Sequence, residues 1–256
     1  MKIALVQLDA KDLLWGPLEM PKILRQTMDA DLVVFPECMP FDEAISITEA
    51  ENSLASMTEG LTQAVIAGGY VLQNEIERNA VFLSYGGKIH GRYFKRLRWN
   101  EPQIAPGGEA TVFEWNNMRC IPLICADAAD NPSQTGTRMM YEAIRLGAGE
   151  QVPIVVSSYG AWLNKPYWQE PLQTWASGCG APLLICGVSG KGDLFIDAGV
   201  SGNFGGGGSG VFWPYIWPNP NKKRSPWQLK RRGILLIDIK TGDCAFRQIR
   251  KNTASD

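Results

Sequence analysis

Histidine is almost missing from this chain: His90 is the only one among 256 residues. Most nucleophilic enzymes take their base from histidine, so that route rests on one residue here. There is no CxxC pair, and a zinc site would want more histidine, so no metal is expected. Charge of one sign is also lacking. Lys plus Arg number 25 against 26 Asp plus Glu, which removes any general pull toward nucleic acid or an anionic membrane. Long apolar runs are absent too. The uncharged stretches Pro171–Gly190 and Ala198–Asn221 are broken by Pro, Gly and polar residues, and neither could keep a lipid-exposed helix hydrogen-bonded. The first apolar run, Ile3–Val6, is too short for a secretory signal. A soluble chain is expected. The six cysteines, Cys38, Cys120, Cys125, Cys179, Cys186 and Cys244, sit mostly in strand-like runs, as buried free thiols do. That favours a reducing, cytoplasmic compartment.

What is present is a series of short β-branched runs alternating with helical segments. Strands are predicted at Lys2–Leu8, Leu32–Pro36, Val65–Leu72, Asn79–Tyr85, Ile89–Tyr93, Arg119–Ile124, Pro153–Ser157, Pro182–Val188, Gly210–Trp213 and Gly233–Ile239. Helices are predicted from Pro17 through Met28, and at Leu54–Ala64, Thr137–Leu146 and Trp168–Ser177. The alternation makes the class α/β, and with no break between halves one domain over 1–256 is expected. Gly86-Gly87 reads as a tight hairpin turn. The glycine-rich stretch ending at Gly208-Ser209 runs into Val211-Phe212-Trp213 and reads as a close-approach loop. The basic segment 222–232, with Trp227 inside it, reads as a solvated loop or a surface for an anionic partner.

Three reactive side chains stand at the ends of strands. Glu37 closes Asp31-Leu32-Val33-Val34-Phe35-Pro36, Lys95 follows the second hairpin strand, and Cys125 closes Arg119-Cys120-Ile121-Pro122-Leu123-Ile124. In open α/β sheets, sites collect at the carboxyl ends of buried strands. Singly, each has a plain alternative: a solvated Glu, a surface Lys, an inert core Cys. Together they can perform histidine-free chemistry. A thiolate attacks, a carboxylate takes its proton, and an ammonium stabilises the charge that develops.

These motifs resemble the nitrilase superfamily, the carbon–nitrogen hydrolases, over almost the whole length. The glutamate motif is Leu32-Val33-Val34-Phe35-Pro36-Glu37. The lysine motif is Gly91-Arg92-Tyr93-Phe94-Lys95-Arg96, followed by Glu101 and Pro106-Gly107. The cysteine motif is Pro122-Leu123-Ile124-Cys125-Ala126-Asp127. The opening strand Lys2–Gln7 and the late strand Gly233–Asp238 also fit. The resemblance implies a four-layer α-β-β-α sandwich, no cofactor, and a homodimer or larger assembly. It implies that Glu37 is the general base, Lys95 the stabiliser of the tetrahedral intermediate and Cys125 the nucleophile. Glu101 is then a supporting carboxylate, and the Ala126 N–H a second oxyanion donor.

Three departures bear on the substrate. Ala126 stands where an aromatic residue or Asn is common, Ala129 where Arg is common, and Leu97-Arg98 where His-Leu is frequent. Asp127, Tyr159 and Trp162 are candidate pocket residues, the two aromatics having ordinary packing as their alternative. The leading expectation is a small-molecule amide hydrolase that forms a Cys thioester. Nitrile hydrolysis, N-acyl transfer and a non-catalytic binding protein on the same fold are the alternatives.

Overall fold

The computed structural model describes residues 1–9, 16–98, 101–128, 134–147, 152–159, 166–189, 208–215 and 232–249. Trp162, Ala129 and most of the basic segment 222–232 lie outside them. Arg232, at its end, is described and pairs with Glu19.

The first sheet starts with β1 (Lys2–Gln7), β2 (Leu32–Val34), β3 (Pro40–Ser46) and β4 (Ala64–Gln73). It continues with β5 (Ile76–Tyr85) and β6 (Lys88–Phe94). The second contains β7 (Phe113–Trp115), β8 (Met118–Ile124), β9 (Ile154–Ser157), β10 (Leu183–Cys186) and β11 (Gly210–Phe212). The last two strands, β12 (Gly233–Asp238) and β13 (Cys244–Gln248), return to the first sheet. The orders are β13-β12-β1-β2-β4-β5-β6, with β3 also on β4, and β11-β10-β9-β8-β7. β1, β2 and β4 run parallel, as do β8, β9 and β10.

Strand periodicity makes the layers. Ile3, Leu5, Leu32 and Val34 point inward and pack with Ile121 and Leu123 of the second sheet. Their neighbours Ala4, Val6 and Val33 point outward and meet α1 (Gly16–Gln26) through Met20, Ile23 and Leu24. Leu54 of α2 (Ile47–Thr58) joins the same outer cluster. On the far side, Met139 and Ala143 of α3 (Gln134–Arg145) and Leu172 and Trp175 of α4 (Pro166–Cys179) cover the second sheet. This is a four-layer α-β-β-α sandwich. The middle of each sheet is buried on both faces, which is why β2 and the Cys120–Ile124 part of β8 are continuous runs rather than alternating ones. No helix among the described residues is long and apolar enough to cross a membrane.

Local chemistry explains where sequence-based boundaries moved. The helix predicted at Leu54–Ala64 begins at Ile47 and ends at Thr58. Ser46-Ile47-Thr48-Glu49 is a capping-box pattern, and the Ser46 hydroxyl accepts the Glu49 N–H at 3.2 Å. The chain is already extended at Glu59, and Ala64 belongs to β4. The hairpin at Gly86-Gly87 is present, with both residues left-handed and Tyr85 opposite Lys88. Two further hairpins turn on Asn74-Glu75 and Asn116-Asn117, also left-handed at both positions. Asn tolerates that region better than most residues, so these turns carried a sequence signal. β3, β7 and β13 had not been expected.

Candidate active site

Glu37 lies just beyond β2. Pro36 has no N–H to extend a ladder, and after Phe35 donates to the Ile66 carbonyl the chain leaves the sheet. Lys95 lies just beyond β6, with its N–H on the Asn79 carbonyl at 2.8 Å. Its own carbonyl accepts the Gly107 N–H at 2.7 Å. Any Cβ at Gly107 would stand 2.2 Å from the Phe94 carbonyl oxygen, so only glycine lets this segment press against the lysine strand. Gly107→Ala is expected to destabilise the fold by about 1–3 kcal/mol, read as a lower urea midpoint at unchanged slope. Activity should fall with it, because the displaced backbone carries Lys95.

The buried centre is a cluster of charges. Glu37, Lys95 and Glu101 are 2%, 3% and 1% exposed. Lys95 Nζ donates to Glu37 Oε1 at 2.6 Å and to Glu101 Oε2 at 2.5 Å. Asn79 Nδ2 donates to the same Glu37 oxygen at 2.8 Å and to Glu101 Oε1 at 3.1 Å. Tyr70 OH completes Glu101 at 2.9 Å. The other Glu37 oxygen, Oε2, accepts the main-chain N–H of Tyr159 at 3.1 Å, just past β9. Burial pushes the Lys95 ammonium toward neutrality, but the charges of Glu37, Cys125 and Glu101 outweigh it. Its pKa is held well above the ordinary lysine value, so it stays a fixed cation.

Cys125 comes from the other sheet. It follows β8, opens a 3-10 turn over Cys125–Ala128, and has a left-handed backbone at φ 40. A non-glycine residue there is strained, and such strain gathers at functional positions. Cys125 and Cys244 are the half-buried cysteines; the other four are buried, and all six are free thiols. The Cys125 charge acts on Lys95, and the attraction is mutual, so a thiolate here is stabilised by the ammonium. His90 is exposed on β6, its ring against Tyr85, away from this centre.

The structure therefore gathers Glu37, Lys95 and Glu101 in direct contact, with Cys125 in electrostatic reach. Asp127, a candidate pocket residue, sits where the two segments meet. It is 0% exposed, and both its oxygens take protein donors: Tyr93 OH, and the N–H groups of Ile124, Arg96 and Leu97. Tyr159 is buried as well, and what it lends to the centre is its main-chain N–H. Ala126 is buried at the turn. Asn79, Tyr70 and Tyr93 were not singled out from the sequence. Asn79 did leave a signal, as a polar residue at the edge of the apolar run Ala80–Leu83, because a polar group buried there must find partners.

Solved structures share this architecture. An amidase from Nesterenkonia sp. aligns with TM-score 0.69 at 18% identity, over 93% of this chain and 89% of that one. The chain has the nitrilase-superfamily fold. Saccharomyces cerevisiae Nit3, a member of branch 10 of that superfamily, aligns with TM-score 0.64 at 18% identity, over 82% of this chain and 81% of its own. A Glu-to-Gln mutant of the Nesterenkonia sp. AN1 amidase aligns with TM-score 0.64 at 18% identity, covering 84% and 82%. That structure shows covalent addition of the acetamide moiety of fluoroacetamide at its active site cysteine. No protein-family model matches the sequence, and no curated protein matches it.

Proposed function

We propose that this protein hydrolyses the C–N bond of small carboxamides through a thioester on Cys125. The observation that carries the reading is the buried ammonium of Lys95 between Glu37 and Glu101, within electrostatic reach of a strained, half-buried cysteine. The amidases that share the fold support it.

In the proposed cycle Glu37 takes the Cys125 thiol proton, and the sulfur bonds to the amide carbon. Negative charge gathers on the carbonyl oxygen, facing Lys95 and the Ala126 N–H. Glu37 then gives its proton to the departing nitrogen, the C–N bond breaks, and a thioester remains. Water loses a proton to Glu37 and attacks that thioester. The C–S bond breaks, Glu37 returns that proton to the departing sulfur, the acid leaves, and the thiol is restored. Glu101, already bonded to Tyr70, Asn79 and Lys95, keeps a counter-charge on Lys95 while Glu37 gains and loses its proton. The free thiols suit a reducing compartment.

Amides should be turned over faster than matching nitriles. Ala126 sets little bulk beside the nucleophile, and a departing amine needs one proton, which Glu37 can return. A nitrile's thioimidate needs more proton transfers before ammonia leaves. Ammonia release from paired amides and nitriles tests this, together with intact mass for an acyl adduct. Higher kcat/KM on the nitriles would reverse the assignment, and acyl transfer to an added amine without ammonia release would favour a transferase.

A further inference from the structure

We propose that Asp127 is a positioning residue that ties the lysine segment of the first sheet to the nucleophile turn of the second, setting the placement of Lys95 against Cys125. The inference rests on the amide hydrolase reading for its kinetic test, but its geometry stands apart from it.

The need for such a tie follows from the architecture. Lys95 and Cys125 belong to different sheets, and between the sheets lie apolar side chains such as Leu5, Val34, Ile121 and Leu123. Apolar burial is strong but non-directional, and it tolerates small sliding. Catalysis does not, since a displacement of about 1 Å can cost about 10²-fold in rate.

One carboxylate supplies the missing direction. Asp127 Oδ1 accepts the N–H groups of Arg96 at 3.0 Å and Leu97 at 2.8 Å, the two residues after Lys95. Oδ2 accepts Tyr93 OH at 2.9 Å, two residues before Lys95. The same oxygen accepts the Ile124 N–H at 3.2 Å, directly before Cys125. Four donors fill the roughly four acceptor sites of an ionised carboxylate. Three are main-chain groups, so side-chain changes at Arg96 or Leu97 leave the tie in place. Arg96 is held from the other direction by its ion pair with Glu142 on α3.

The charge of Asp127 does not serve stability. Burial pushes its carboxyl up to about 6, against hydrogen bonds from Leu97, Tyr93 and Ile124 and the charge of Lys95. A folded-state pKa above the unfolded one means that the group stabilises most at low pH. That contribution is lost as pH rises through about 6, so the ionised form costs stability at neutral pH. Protonation would turn one acceptor into a donor facing N–H groups and loosen the tie. The groups facing Asp127 are Tyr93 on β6, with Lys95 and Arg96 beyond it, and Glu142 acts on the site from α3. Burial raises the Tyr93 phenol well above its usual value, so it remains a donor.

The test uses the full chain with Asp127→Asn and Tyr93→Phe. An Asn amide could keep Arg96 and Leu97 on its oxygen, but its NH2 would then oppose the Ile124 N–H. Expected for Asp127→Asn are a kcat lower by about 10- to 10²-fold, KM changed by less than about 3-fold, and loss of the acid step near pH 6. Tyr93→Phe removes a bond that holds the Asp127 pKa down, so the acid step should move to higher pH. Iodoacetamide alkylation of Cys125, mapped by mass spectrometry, gives a readout independent of substrate. Asp127→Asn should slow it by about 10-fold, because the ammonium is no longer held beside the thiolate. If Asp127 acted only by its charge, its loss would speed alkylation, and that result overturns the proposal. So does an acid step unmoved in Tyr93→Phe, which decides the matter if Asp127→Asn does not fold. Slowed alkylation in a protein whose native form hydrolyses no amide would remove the hydrolase reading and leave the tie standing.

Discussion

Cys125→Ala is expected to abolish amide turnover, by a factor on the order of 10⁴ or more, while urea unfolding stays close to that of the native chain. The loss is large because every step of the proposed cycle makes or breaks a bond to that sulfur. The fold should survive because Cys125 is half-buried and lies beyond the end of β8. Iodoacetamide gives a second readout. Cys38, Cys120, Cys179 and Cys186 are buried, and burial pushes all four thiols up. The only other half-buried thiol, Cys244, is pushed up to about 11 by burial and the charge of Asp243. Cys125 should therefore be labelled first. Labelling at Cys244 or Cys38 with activity retained would remove Cys125 from the nucleophile's role.

Glu37→Gln and Lys95→Met should each lower kcat by roughly 10²-fold or more, with different effects on stability. Gln cannot take a proton. Its NH2 must also oppose a donor, either the Tyr159 N–H or the pair from Lys95 and Asn79, so a modest stability loss accompanies the kinetic one. Lys95→Met removes the counter-charge from two buried carboxylates. Breaking a buried pair from one side typically costs about 3–5 kcal/mol, so this variant should show a much lower urea midpoint as well. His90→Ala is the control. It is exposed with its ring against Tyr85, and its loss should leave both kcat and stability nearly unchanged. Equal damage from His90→Ala and Glu37→Gln in folded protein would end the histidine-free mechanism.

Much of the local structure could be read along the chain. Apolar runs of strand length ending in Glu37 and Cys125, and the Gly86-Gly87 turn ahead of Lys95, are short-range patterns that sterics and periodicity translate directly. The misplaced start of α2 was legible too, since Ser46 and Glu49 form a capping box whose hydrogen bond spans one turn. β3 and β7 were harder, because β3 carries Asp42 and Glu43 in the middle of its run and β7 is only three residues long.

By itself the sequence determined which reactive groups would stand at strand ends, because an apolar run of strand length and the residue that ends it are local patterns. It also determined that a histidine base would be scarce. Only the tertiary structure decided how those groups meet. Asn79 bridges Glu37 and Glu101, the Tyr159 N–H reaches Glu37 across 122 positions, and Asp127 joins segments of two sheets. Such bonds have no period. Each donor or acceptor is ordinary alone, and its partner is chosen by the packing of layers through an apolar interface, which no local pattern encodes.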